Sequence, residues 1–209
     1  MPSIAELEAL VAERRETLGE GHPDTLTAML DLAELLWAEG RLLRARQLEE
    51  AVVAGRRACY GAAHPDTLKA LGKLAVTVGQ LGDLRQARRL QEEVVAGMRA
   101  LHGAEGRDTL RAVNNLAGTV AALGDTVGAR ALLEETIATL ARVFGEVDGD
   151  TLTSLGNLAA LLWQDGERDD AYALQEQVAA TLRRTRGAAD PATRNARAVL
   201  DSMVREAGF

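Results

Sequence analysis

The sequence predicts an all-α fold, a solenoid of stacked helix-turn-helix repeats, and three observations carry that reading. The first is a phrase that returns. His22-Pro23-Asp24-Thr25-Leu26 recurs as His64-Pro65-Asp66-Thr67-Leu68, and weakens through Gly106-Arg107-Asp108-Thr109-Leu110 and Asp148-Gly149-Asp150-Thr151-Leu152. A last echo is Asp190-Pro191-Ala192-Thr193-Arg194. Every step is 42 residues, and a fixed period of that size marks stacked repeats. The second is composition: the chain is rich in Ala, Leu, Glu and Arg, with only 4 prolines in 209 residues, which favours helix nearly throughout. The third is punctuation by glycine at Gly40, Gly82, Gly124 and Gly166, and again at Gly61, Gly103, Gly145 and Gly187. A helix end tolerates, and commonly uses, a residue free to take positive φ.

Taken in order, residues 3–18 read as a helix, because Leu7, Leu10, Val11 and Leu18 keep helical spacing and Gly19 and Gly21 stop it. Shifted by one period, this segment lies on residues 45–60, so it is a second helix without its own first helix, expected to cap the N-terminal end. Full repeats are expected at 22–63, 64–105, 106–147 and 148–189. In each, Pro or its substitute opens the first helix, where a missing N–H costs nothing. Asp24, Asp66, Asp108 and Asp150 fall in the first turn, where a negative charge meets exposed N–H groups and the positive end of the dipole. Residues 190–207 add one more first helix as a C-terminal cap, with Gly208 where the next turn would begin. The whole of 1–209 is expected to be one solenoid, though a stop at a repeat boundary also fits a piece of a longer array.

The apolar register agrees with stacking. Leu32, Leu74, Leu116, Leu158 and Leu200 share a position, followed by Ala33, Ala75, Ala117 and Ala159. In the second helices Ala45, Ala87, Ala129 and Ala171 mark a close crossing, with Leu48, Leu90, Leu132 and Leu174 three residues on. Alternating large and small positions let paired helices interdigitate, and no repeat buries its face alone.

Composition bounds the function. Aromatics are 3% of residues against 47% apolar, so the core is built from Leu, Ala and Val. The formal net charge of −7 argues against nucleic acid or an anionic membrane as partner. One cysteine, Cys59, excludes an intrachain disulfide framework, and no apolar run reaches the roughly 20 residues that span a bilayer. Met1-Pro2-Ser3-Ile4-Ala5-Glu6 lacks the basic start and apolar stretch of a signal peptide. A soluble, cytoplasmic protein is expected.

The Leu-Ala, Gly, Ala spacing resembles the tetratricopeptide repeat, whose unit is normally 34 residues. The 42-residue period, the His-Pro-Asp-Thr-Leu opening and the segments Asn114-Asn115-Leu116-Ala117 and Asn157-Leu158-Ala159 resemble its kinesin light chain-like subclass. Leu174-Gln175-Glu176-Gln177-Val178 is similar to bacterial arrays of this kind. The sequence departs from the consensus where aromatics are usual, holding Leu, Val, Glu or Gln instead. The resemblance implies a right-handed α-α superhelix, first helices lining a concave groove, and a role in binding protein or peptide.

On that alignment the groove-facing rows hold Thr27, Lys69, Arg111 and Thr153; Asp31, Lys73, Asn115 and Asn157; and Trp37, Gly79, Ala121 and Trp163. Together with Asn114 this gives a cationic, amide-rich set, Lys69, Lys73, Arg111, Asn114, Asn115 and Asn157, flanked by Trp37 and Trp163 as apolar anchors. Asn supplies two donors and an acceptor for an extended backbone, and cations pair carboxylates. The match to the clamp that some tetratricopeptide proteins use for acidic peptide C-termini is partial.

Other features read as structural. His22 and His64 open helices one repeat apart, too far for shared ligation of a metal. Cys59 fills a slot held by Leu101 and Val143, so it reads as a small core residue. Glu8, Glu50, Glu92, Glu134 and Glu176 form a ladder with Arg46, Arg88 and Arg130 placed for i,i+4 pairs. No phosphate loop, nucleophile elbow, zincin or EF-hand pattern is present. No catalytic residue, cofactor or metal is expected. The leading expectation is a non-enzymatic scaffold binding an acidic or C-terminal peptide segment. Alternatives are an enzyme or small-molecule binder using the same groove, and self-association.

Overall fold

In the computed structural model, which describes residues 2–207, all regular structure among the described residues is helical. In chain order the helices are α1 (Ile4–Leu18), α2 (Pro23–Ala38), α3 (Leu42–Tyr60), α4 (Pro65–Gln80) and α5 (Leu84–His102). They are followed by α6 (Arg107–Ala122), α7 (Thr126–Phe144), α8 (Gly149–Asp165), α9 (Arg168–Arg186) and α10 (Pro191–Ala207). Gly208 lies outside the described residues. Helices α1–α5 belong to one compact unit, Met1–Gly106, and α6–α10 to a second, Arg107–Phe209.

The recurring phrase explains how each first helix begins. His22 Nδ1 accepts from the Asp24 N–H at 3.2 Å, and His64 Nδ1 from that of Asp66 at 3.1 Å. Histidine thus does the capping that Asp148 performs for α8, at 3.0 Å, and Asp190 for α10, at 2.9 Å. An accepting Nδ1 puts the neutral ring's proton on Nε2. The threonine of the phrase is buried at Thr25, Thr67, Thr109 and Thr151. Its hydroxyl donates to the carbonyl of the glycine that ends the preceding helix: Thr25 to Gly19 (2.8 Å), Thr67 to Gly61 (2.8 Å) and Thr151 to Gly145 (2.9 Å). In these three repeats a hydroxyl ties a helix start to a helix end.

The leucine completes the joint. Leu26 is 1% exposed and lies against Gly55 of α3, where a Cβ would stand 2.7 Å from a Leu26 methyl. Leu68 meets Gly97 of α5 in the same way, at 2.6 Å. At these two positions the glycine lets the leucine side chain lie directly on the backbone of the paired helix, where an added Cβ would push it aside.

Within the first unit each helix packs on the next, from α1 through α5, over Leu26, Met29, Leu36, Val52, Leu71 and Val78. In the second unit α6 to α10 pack in the same succession. One core cluster there is Ala117, Val120, Ala129, Leu133 and Leu161, and another is Leu152, Val178, Leu182 and Ala196. The crossing alanines Ala45, Ala87, Ala129 and Ala171 are each fully enclosed, at 0% exposure.

Two sequence expectations change. Leu48, Leu90, Leu132 and Leu174 are only half-buried; the enclosed position is one residue later, held by Glu49, Gln91, Leu133 and Gln175. One residue is about a 100° turn on a helix, enough to exchange a rim position for the core. Cys59 is exposed rather than core, its Sγ 3.3 Å from the Gly21 carbonyl, and Leu101 and Val143 in the same slot are more than 40% exposed. That slot lies in the last turn of a second helix, beyond the crossing with its partner.

The glutamate ladder lies on the outer face of the second helices. Arg46–Glu50, Arg88–Glu92 and Arg130–Glu134 form i,i+4 pairs at 2.8, 2.8 and 3.0 Å. Further pairs link successive second helices, Arg44–Glu8 at 2.7 Å and Arg57–Glu93 at 2.5 Å. Among the described residues no helix is long and apolar enough to cross a membrane.

Candidate functional site

Once the core positions are assigned, the polar residues of the first helices that packing does not account for are the candidates for recognition. In the first unit, Lys69 and Lys73 stand one turn apart on α4. Lys69 is exposed and forms no ion pair among the described residues. Lys73 is half-buried, and its Nζ pairs with Glu34 of α2. Trp37, in the last turn of α2, is 40% exposed.

Close to the Lys73–Glu34 pair lies a group that the repeat pattern did not single out. Glu49 of α3 is 2% exposed, and its Oε2 has no hydrogen-bond partner among the described residues. Burial pushes its carboxyl above the ordinary carboxylate range. The Thr77 hydroxyl and the Lys73 charge oppose that rise, while the charges of Glu34 and Glu50 add to it. A desolvated carboxylate is disfavoured unless a full set of donors replaces water, and here the set is incomplete.

In the second unit, Arg111 on α6 donates to Asp150 of α8 at 2.8 Å and lies 3.7 Å from Asp108. Arg107 donates to Asp148 at 2.9 Å and also to Asp150, with its guanidinium 4.0 Å above the Phe144 ring. The hydrogen bond to Asp150 holds Arg111 above its ordinary value, and the Arg107 guanidinium holds the Asp148 carboxyl below its own. Two of the sequence-expected cations, Lys73 and Arg111, are therefore neutralised by acids of a neighbouring helix.

The amides divide. Asn115 and Asn157 are exposed on α6 and α8. Asn114 is half-buried, its Oδ1 enclosed without a partner among the described residues. Trp163 is half-buried at the far end of α8, where its Nε1 donates to Glu206 of α10 at 3.1 Å and Arg168 lies 5.2 Å over its ring. Asn157 lines a cleft of about 310 Å³ among α8, α9 and α10, together with Thr153, Gln175, Arg186 and Asn195. Sequence reasoning passed over Gln175, Arg186 and Asn195. The available signal was the row Glu49, Gln91, Leu133, Gln175, a mostly polar position enclosed beside the exposed glutamate ladder.

Family models described as tetratricopeptide repeat match residues 25–66, 66–142 and 108–184. The chain belongs to the tetratricopeptide repeat family. Its 42-residue unit is similar to that of solved kinesin light chain-like repeats. Two crystal structures of nearly identical TPR-like repeats from Podosopora anserina, named for kinesin light chain, are 31% identical to it. They cover 87% and 88% of this chain and 86% and 87% of their own, with TM-scores of 0.75 and 0.73. BtubC (BKLC) from P. vanneervenii is similar in fold, at 21% identity over 98% of this chain and 83% of that one, TM-score 0.75. No curated protein matches.

Proposed function

We propose that the chain is a non-enzymatic interaction module, cytoplasmic, that holds a peptide segment of a protein partner against the exposed faces of its first helices. The observation that carries this is the contrast between the two surfaces. Second helices pair charges with one another at Arg44–Glu8, Arg46–Glu50, Arg57–Glu93, Arg88–Glu92 and Arg130–Glu134, whereas Lys69, Asn115 and Asn157 stand exposed on first helices with no ion pair or hydrogen bond to their side chains among the described residues. Unpaired amides offer donors and an acceptor to an extended backbone, and an unpaired lysine favours acidic sequence. Scaffolds of this family bind protein partners, and a first-helix surface built from Asn and Lys suits that role. It does not assemble the nucleophile, base and orienting group of a catalytic site.

The reading is tested by passing pools of acidic and basic 12-residue peptides over the immobilised full chain. Hydrogen–deuterium exchange is then measured on the loaded protein. Acidic peptides are expected to be retained, with protection on first helices. Lys69→Glu is expected to lower retention several-fold, as for one exposed charge contact worth about 0.2–1 kcal/mol. Equal retention of both pools, or protection confined to the second helices, would refute it.

A further inference from the structure

The first unit encloses an ionisable group directly beside the charges of its first helices. Where the other full repeats carry Gln91, Leu133 and Gln175, the first carries Glu49. It is 2% exposed, and its Oε2 has no hydrogen-bond partner among the described residues. The Thr77 hydroxyl of α4 acts on this carboxyl and also lies 3.3 Å from the Lys73 carbonyl, so one proton serves two acceptors. Helix α3 packs between α2 and α4. The charges facing Glu49 are Glu34 from α2, Lys73 from α4 and Glu50 of α3 itself. Glu50 is held by Arg46 at 2.8 Å on the outer face. Lys73, the one cation of the set, is paired with Glu34.

A carboxylate stripped of water stays ionised only while donors or cations replace that water. Here the replacement is a shared hydroxyl and a shared ammonium. Lys69, exposed and without an ion pair among the described residues, stands one turn before Lys73 on α4, and residues four apart share a helix face. A partner carboxylate held by Lys69 therefore arrives beside Lys73. Drawn towards it, Lys73 divides its charge among three acids instead of two. Left in place, it faces an added negative charge that also acts on Glu49 through the protein interior, where Coulomb interactions are less screened than in water. Both make an ionised Glu49 more costly. The Glu34 side chain is 53% exposed, so water screens it from the same charge, and the response is concentrated at Glu49.

We infer that Glu49 couples occupation of the Lys69–Lys73 face to pH: it takes a proton from solvent when an acidic peptide segment binds and releases it when the segment leaves. Only an O–H bond forms and breaks. Glu49 touches no partner; it is a positioning residue that acts through Lys73. By linkage the segment binds the protonated form more tightly, so affinity is full at the acid end and is lost as pH rises through the range in which Glu49 ionises. The inference rests on the peptide-binding reading above. It adds a pH dependence that the exposed lysine and asparagines do not produce, since neither residue type titrates between about pH 5.5 and 8.

The test uses the full chain and one probe, an acetylated and amidated 12-residue peptide of alternating Glu and Ser. Calorimetry in buffers of different ionisation enthalpy counts the protons taken up per peptide bound. The wild type is expected to take up more than Glu49→Gln, and to lose affinity several-fold from about pH 5.5 to 8 while the variant does not. The carboxylates of the probe and the histidines are common to both forms, so the difference isolates Glu49. On the wild type alone, the ¹³C-carboxyl titration of Glu49 should move to higher pH when the probe is added. Lys73→Gln should move it upward without probe. Equal proton uptake in both forms, or a Glu49 titration that the probe leaves in place, overturns the coupling while a peptide-binding module stands. A titration unmoved by Lys73→Gln overturns Lys73 as the link. No binding of the probe at any pH overturns both the coupling and the acidic-peptide reading.

Discussion

The buried carboxyl of Glu49 allows a strong test of the packing argument, because removing its charge should stabilise the protein. Glu49→Gln keeps the side-chain length, and Gln91 and Gln175 show that glutamine is accommodated at this place in two other repeats. At neutral pH the wild type must either desolvate a charge at a position 2% exposed or hold a proton there. An unmet buried acceptor costs about 1–3 kcal/mol, more if charged. Lys73 and Thr77 return part of that cost. A net gain of about 1–2 kcal/mol is expected for Glu49→Gln at pH 7.5. The sign with pH follows from linkage. Glu49 holds its proton more tightly folded than unfolded, so the folded state binds more protons between the two values and stability falls as pH rises. The stabilisation due to its protonated form is complete below the ordinary carboxylate range and is lost as pH rises through the raised folded value. Urea denaturation of both forms from pH 4 to 8 should show curves that meet at the acid end and separate in favour of the variant towards pH 8. A variant that is less stable at pH 7.5, or a difference that does not vary with pH, would refute the claim that burial dominates this site.

Two further predictions address the recurring phrase. Thr67→Val removes the hydroxyl that reaches the Gly61 carbonyl at 2.8 Å and should cost about 1 kcal/mol. That is a fall of roughly 2–4 °C in Tm for a chain of this size, and an unchanged Tm would show that the contact between helix end and helix start contributes nothing. His64→Ala should cost about 1 kcal/mol through loss of the cap. His64→Asp should recover most of that, since Asp148 makes the same bond at 3.0 Å. If thermal melts show both variants equally weakened, the Tyr60–His64 ring stacking at 4.6 Å matters more than the cap.

The architecture was legible because it is periodic. A 42-residue repeat in which Pro, Asp, Thr, Leu and Gly hold fixed places encodes helix starts, stops and crossings through local backbone chemistry, and local chemistry can be read without neighbours. The crossing alanines and the ion-paired outer glutamates were visible for the same reason. The roles of Thr25 and Gly55 were not, because a hydroxyl reaching back to a helix end, or a leucine pressed onto a glycine of the paired helix, depends on contacts between elements.

The candidate site divides along the same line. That Lys69, Lys73, Arg111 and the asparagines belong to first helices follows from spacing alone. Which of them retain unneutralised charge does not, since Glu34 and Asp150 reach them from neighbouring helices. The sequence by itself determined the repeat and its helices, because those depend on bonds within a few residues. Only the tertiary structure decided the burial of Glu49, the pairing of the cations and the cleft among α8, α9 and α10. Desolvation and Coulomb interactions act between side chains far apart in the chain, and only folding sets those distances.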